Sequence, residues 1–249
     1  MNDAAEFGGF KLAPFTLEET IDWILTAVRE KRSCVVVTSN IHHLRLARND
    51  ATFERVVAAA ELNVADGWPL VAGTRLFAAV RAPERIAGIG LVDRLLQQEL
   101  VPLRLAILGG PPGAADALAS RIAAVHQVVL VDPLPKGRWD SADHLEELRA
   151  ALHSAKPTLT LVGIGAPRQE LLADSLRDVL SGPAIGCGAA LEVLGGLRPR
   201  APRILQAIGL EWAFRLILEP RRLLPRYVAA ARAFVGAVID ELRARRSAD

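Results

Sequence analysis

LTLVGIGAPRQE, residues 159–170, decides the fold. It begins as an uncharged, mostly apolar run of the kind that fills a strand buried on both faces. Gly163 and Gly165 then let the chain turn tightly. Pro167 suits the first turn of a helix, and Arg168, Gln169 and Glu170 decorate its N-terminus. Strand, tight turn and helix in that order form half of a βαβ unit.

The same pattern recurs on either side. CVVVTS (34–39), LRLAILGG (103–110), VVLV (128–131) and AIGCG (184–188) are also short apolar runs ending in glycine or polar residues. Between them, segments 17–31, 50–61, 90–100, 113–125, 141–154 and 167–180 carry helical periodicity. The alternation predicts an α/β fold with a Rossmann-like parallel sheet flanked by helices. No repeat of 20–50 residues and no low-complexity linker interrupts it.

Ligands of such sheets bind at the carboxyl ends of the strands. The polar and glycine-rich segments gather there: Thr38, Ser39, Asn40, His42 and His43; GGPPG (109–113); Asp132 and PKGRW (135–139); GIGAPRQE (163–170); and GCGAALE (186–192).

The segment from about residue 201 onward differs. It reads as two helices, 203–218 and 220–246, forming a C-terminal helical appendage (201–249) to an α/β core (1–200). In the second helix Leu224, Tyr227, Val228, Ala231, Phe234, Val235, Val238 and Leu242 make an apolar stripe, with Arg222, Arg226 and Arg232 off it. Such a helix suits packing on the core, pairing with a second copy of the chain, or lying on an anionic membrane surface.

Charge supports a separate role for this end. From Arg198 onward there are 11 arginines and 5 acids, a net +6, while the rest of the chain carries 19 basic and 23 acidic residues, a net −4. An anionic partner is implied: nucleic acid, phospholipid or diphosphate. Aromatic residues make up only 5% and no nucleic-acid reading motif occurs, which counts against nucleic acid. No uncharged apolar stretch reaches 18 residues, and MNDAAEFGGF lacks the basic and apolar regions of a signal peptide, so a cytoplasmic protein is expected. Cys34 and Cys187 lie in apolar runs and read as buried thiols.

Individual motifs are ambiguous taken singly. GGPPG with Asp132 downstream suits a nicotinamide dinucleotide, hence an oxidoreductase, or a plain tight turn; the G-x-G-x-x-G spacing is absent. Gln169 and Glu170 suit a sugar, base or diphosphate, or merely a first helical turn. His42 and His43 lack metal-ligand spacing, and no D-x-D pair is present to hold a divalent metal. Asp66, in LNVADGWPLVAG (62–73), precedes glycine, and Asp-Gly is a common turn pair.

In order along the chain, TSNIHHLRLARND (38–50), ADGWPLV (65–71), PERIAG (83–88), LGGPPGAA (108–115), GIGAPRQE (163–170), LGGLRPRAP (194–202) and GLEWAFRLILEPRRLLPRY (209–227) resemble the WecG/TagA/CpsF family of bacterial glycosyltransferases. The resemblance implies sugar transfer from a UDP-sugar to a polyprenyl-diphosphate-linked saccharide at the cytoplasmic membrane face. The implied reaction inverts the anomeric centre and uses no metal or other cofactor. It makes Asp66 the general base, with Thr38 and Asn40 beside it. It gives substrate binding to Arg85, Gly109, Gly110, Trp139, Gln169 and Glu192, and diphosphate neutralisation to Arg215, Arg222 and Arg226. Two positions depart from the family pattern: Gly90 stands where an acid is usual, and Glu192 where an aspartate is usual. The family's aromatic beyond the third strand corresponds to Arg138–Trp139.

Overall fold

The computed structural model describes residues 4–134, 137 and 139–248. The chain opens with a hairpin of β1 (Ala5–Phe7) and β2 (Phe10–Leu12), followed by α1 (Leu17–Arg29). Thr16 and Glu19 start α1 with a reciprocal capping box: the Glu19 amide donates to the threonine hydroxyl, and the Thr16 amide donates to the Glu19 carboxylate. The α/β alternation then begins. β3 (Cys34–Ser39) leads into α2 (Ile41–Ala47) and α3 (Ala51–Ala58). β4 (Leu62–Ala65) leads into α4 (Trp68–Phe77) and α5 (Gly88–Gln97). Next come β5 (Arg104–Gly109), α6 (Ala114–Ile122), β6 (Gln127–Asp132) and α7 (Ala142–Ala155). β7 (Leu159–Gly163), α8 (Arg168–Ser175), β8 (Pro183–Gly186) and α9 (Ala190–Leu194) complete the core.

The six strands β3–β8 form one parallel sheet in the order β4-β3-β8-β7-β5-β6. Helices cover both faces, which is why β3, β7 and β8 read as continuous apolar runs. One core joins α2, α3, α7 and α8 to the sheet through Leu44, Phe53, Leu148 and Leu172. The other joins α1, α5, α6 and α9 through Ile24, Leu91, Leu118 and Leu191. The Rossmann-like expectation holds. Cys34 and Cys187 are free buried thiols, each pushed up to about 12 by burial.

The sequence pattern missed β4. It has only four residues, one of them the polar Asn63, so no alternation or long apolar run marks it. It lies at a sheet edge, where Ala13 just beyond the hairpin donates its amide to the Asn63 carbonyl (2.7 Å). That contact covers an edge otherwise open to another chain. The consequence is functional: Asp66 follows a parallel strand at its carboxyl end.

The C-terminal segment also differs in detail. The expected helix 203–218 is two helices, α10 (Arg203–Ala207) and α11 (Glu211–Leu218), separated by Gly209 in the left-handed region (φ 74°). α12 (Pro220–Ala248) then runs for 29 residues. It docks on the core through Leu223, Ala230 and Ala237, which recur every seventh residue and are all buried. Phe234 packs on Phe7 with ring centroids 5.6 Å apart. The Gly8 amide donates to the Glu241 carboxylate (3.0 Å), Arg48 pairs with Asp240 (2.7 Å), and Arg245 lies over the Phe77 ring (5.0 Å).

The buried face is therefore centred one residue away from the expected stripe, a rotation of about 100°. Phe234 and Val238 of that stripe pack on the core, while Leu224, Val228, Val235 and Leu242 stay exposed. The reason is size. Alanines permit close approach to α2, so the small residues face inward and the larger aliphatics remain outside. Among the described residues no helix is long and apolar enough to cross a membrane.

Candidate active site

The chain leaves β3 toward one face of the sheet and leaves β8 toward the other, as the membership of Leu44 and Leu191 in opposite cores shows. A crevice opens between the carboxyl ends of two such strands. On the β3 side, Thr38 is buried in register with Val64 of β4. A Cβ on Gly88, at the start of α5, would meet the Thr38 hydroxyl at 2.8 Å, so strand and helix approach closely there. Asn40 caps α2, its side-chain oxygen accepting the His42 amide (3.0 Å). The Nδ2 group of Asn40 has no partner among the described residues.

Asp66 lies beside them. Its amide donates to the Ser39 carbonyl (2.6 Å), tying it to the end of β3. Gly67 follows with φ 140° and ψ 135°, a conformation that side chains beyond glycine rarely adopt. The Asp-Gly pair does make a turn, and that turn delivers the aspartate to the crevice. Burial raises the Asp66 carboxyl from its ordinary value to about 6. Arg85, the Gly88 amide and His43 pull it down less strongly, while Glu211 pushes it up. The residue keeps partial solvent access.

Arg85 reaches toward the appendage. Its Nη1 donates to Glu211 of α11 and its Nη2 to the Gln206 carbonyl of α10, each at 3.2 Å. Gly209 lies against Trp68: a Cβ there would fall 2.0 Å from the indole nitrogen. The GLEW and ADGW motifs, some 140 residues apart in sequence, thus meet, and α10–α11 border Asp66.

Gln169 is buried and its polar atoms are engaged. Its Oε1 accepts the amides of Gly165 (3.1 Å) and Gly188 (2.9 Å), and its Nε2 donates to Glu170 (2.6 Å). Glu170 in turn meets His43 Nε2 (3.1 Å). Gln169 therefore stitches the loop after β7 to the loop after β8, and the buried Glu170–His43 pair links both to α2. Pro167 is the N-cap of α8, which begins at Arg168. A Gln169→Ala substitution leaves two backbone amides without acceptors. It should cost about 1–3 kcal/mol of stability, read as a lower urea midpoint with an unchanged slope.

The remaining expected residues lie farther along the edge. Gly109 ends β5 and Gly110 follows it, four strand positions from β4, or about 19 Å at ordinary strand spacing. Gly109 has φ 84°, and a Cβ there would strike Ile164 at 2.5 Å, so packing alone requires that glycine. Asp132 accepts the Leu134 amide (2.7 Å). Trp139 packs against the core beyond β6, and Arg138 lies outside the described residues. Glu192 pairs with Arg198 (3.3 Å), and a side chain on Gly90 would enter open space.

The C-terminal arginines converge with two residues that the sequence reading did not combine with them. Burial and, next, Arg215 pull Arg226 below the usual guanidinium value, with Arg222 and Arg45 adding to this and Tyr227 opposing it. Burial first, then Arg226, His43 and Arg45, pull His42 down to about 3, so it is neutral at physiological pH. Arg222 is joined to Glu219. Among the described residues no acid pairs with Arg45, Arg215 or Arg226, and the Nε atoms of Arg45 and Arg226 are buried without partners. A half-buried cation cluster of this kind is costly without an anion. Arg45 sits on α2, which the sequence reading did not recognise as a helix. On that helix it falls one turn after His42 and faces the appendage with it.

Over residues 5–248 the chain matches the glycosyl transferase WecG/TagA/CpsF family. The chain belongs to that family. It is accordingly a glycosyltransferase of cell-surface polysaccharide biosynthesis, with a sugar donor and an acceptor. Family membership and the engaged Asp132 both weigh against the dinucleotide oxidoreductase considered from GGPPG.

Proposed function

We propose that this glycosyltransferase moves a hexose, of the N-acetylmannosamine type or another, from a UDP-sugar to a polyprenyl-diphosphate-linked saccharide, with inversion and without a metal ion. The observation that carries the reading is a carboxylate with a raised pKa at the carboxyl edge of the sheet, in a chain that also gathers Arg45, Arg215 and Arg226 with no acidic partner among the described residues. Asp66 accepts the proton of the acceptor hydroxyl as that oxygen attacks the anomeric carbon. The bond from the anomeric carbon to the diphosphate breaks on the opposite side, and UDP leaves. Arg45, Arg215 and Arg226 neutralise the charge that develops on the diphosphate, with bidentate guanidinium contacts suited to its oxygens. Thr38 and Asn40 orient the acceptor hydroxyl, Asn40 through its unengaged Nδ2. Arg222, held by Glu219, supports the same charge from the rim.

Gly109, Gly110, Trp139 and Glu192 line the outer part of the carboxyl edge, where an extended donor would lie. Gln169 and Arg85 serve the site by holding its walls. Among the described residues no group of three or more His, Cys, Asp or Glu side chains gathers where it could hold a metal ion.

The appendage, residues 201–249, brings the enzyme to its lipid-linked acceptor. Ile204, Ile208, Trp212, Ile217, Leu224 and Val228 are exposed on α10–α12, with Arg203 and Arg221 also exposed there. Apolar anchors with basic neighbours suit a peripheral site on the anionic inner face of the cell membrane. The test is a panel of UDP-sugars with polyprenyl-diphosphate-linked saccharides in vesicles containing anionic lipid, with UDP release as the readout. Turnover with one donor, and flotation of the protein with anionic but not neutral vesicles, are expected. UDP release that requires a divalent metal, or no release with any lipid-linked acceptor, would overturn the proposal.

A further inference from the structure

Arg85 is ion-paired with one carboxylate, Glu211, and its charge acts on a second, Asp66. Both arms of its guanidinium are held by the appendage, Nη1 by Glu211 and Nη2 by the Gln206 carbonyl, and both charged partners are largely buried, at 17% and 15% side-chain exposure. Asp66 feels the same cation, but its carboxylate makes no hydrogen bond to it, and the Gly88 amide also lowers it. The arrangement matters for chemistry. An aspartate paired directly with arginine is held well below the ordinary carboxylate range and is a poor proton acceptor near neutrality.

We propose that Glu211 is a positioning residue for Asp66: carried by α11, it holds the Arg85 guanidinium off the Asp66 carboxylate and so preserves Asp66 as a base. This rests on the reading of Asp66 as the general base. It assigns the appendage a second task besides delivering arginines and meeting the membrane. The glutamate of GLEW and the arginine of PERIAG become one device that sets the basicity of the aspartate of ADGW.

The groups facing Asp66 are few. Arg85 precedes α5, the Gly88 amide begins it, His43 comes from α2 and Glu211 from α11. With Glu211 neutral, the negative charge that raises Asp66 is gone and Arg85 is free to turn toward it. Both changes favour the ionised aspartate, so its titration moves to lower pH.

The experiment uses the full chain, titrated without substrate and assayed for UDP release with donor and acceptor. Difference infrared spectroscopy follows the protonated carboxyl band of Asp66, assigned by its absence from Asp66→Asn, as pH is varied. A midpoint near 6 is expected for the wild type. In Glu211→Gln it should fall by about one pH unit, and UDP release above that midpoint should drop several-fold. Glu211→Asp, keeping the charge on a shorter arm, should fall between the two and supplies the reading should the glutamine variant not fold. A purely structural role would lower the melting temperature and leave the midpoint where it was. An unmoved midpoint in both variants overturns the role of Glu211 while leaving the base intact. Wild-type UDP release by Asp66→Asn overturns the base and the role of Glu211 together.

Discussion

Asp66→Asn should abolish most turnover and make the protein more stable at pH 7. Loss of a general base costs about 10²–10⁴-fold in rate, and UDP binding should persist because the arginines are untouched. The stability effect follows from the same burial. A carboxyl whose folded pKa is raised to about 6 holds its proton more tightly in the fold than in the unfolded chain. That contribution is fully present below the ordinary value of 3.8 and is lost as pH rises through about 6. At pH 7 the wild type therefore carries an ionised, desolvated aspartate, whereas asparagine cannot ionise. The variant should gain about 1–3 kcal/mol at pH 7, with the advantage vanishing near pH 4. Thermal melts across that range check it. An active site that is costly to the fold is the expected trade between stability and function. A variant less stable than wild type at pH 7 would mean that Asp66 serves the turn alone.

Arg226→Gln and Arg45→Gln should each reduce kcat/KM for sugar transfer by about 10²–10³-fold and weaken UDP binding, most clearly at low ionic strength. Neither should destabilise the fold, because each cation is without an acidic partner among the described residues and has a buried, unpartnered Nε. Removing one relieves the others, which already repel it. Isothermal titration with UDP at two salt concentrations, alongside urea unfolding, separates the outcomes. Unchanged UDP affinity in both variants would sink the anion-site reading. Arg222→Gln, by contrast, breaks an exposed pair with Glu219 and should have a smaller effect.

Much of this was legible in the residues. Apolar runs such as CVVVTS and LTLVG can be nothing but strands covered on both faces when helices alternate with them, and their polar ends then share one edge. β4 was not legible. Four residues are too few to show a period, so the seat of Asp66 at a strand end stayed hidden behind a turn dipeptide. The inward face of α12 was misplaced for a related reason. Hydrophobicity ranks Leu224 and Val235 above Ala230 and Ala237, but close helix packing selects for small size.

The candidate site divides in the same way. Motif order along the chain pointed to Thr38, Asn40, Asp66, Arg85 and Gln169. It could not say that Gln169 is consumed in stitching two loops or that Arg85 is held by Glu211. It also left open whether Arg45 joins arginines that follow it by more than 160 residues. Those facts depend on distances between segments far apart in sequence, and no local propensity encodes such distances. The sequence by itself determined the alternating parallel architecture, because backbone hydrogen bonding and burial leave a periodic apolar pattern few other solutions. Only the tertiary structure decided the partners of each charged side chain. A side chain's charge and pKa depend on which groups the folded chain brings within a few ångströms of it and how much water it excludes.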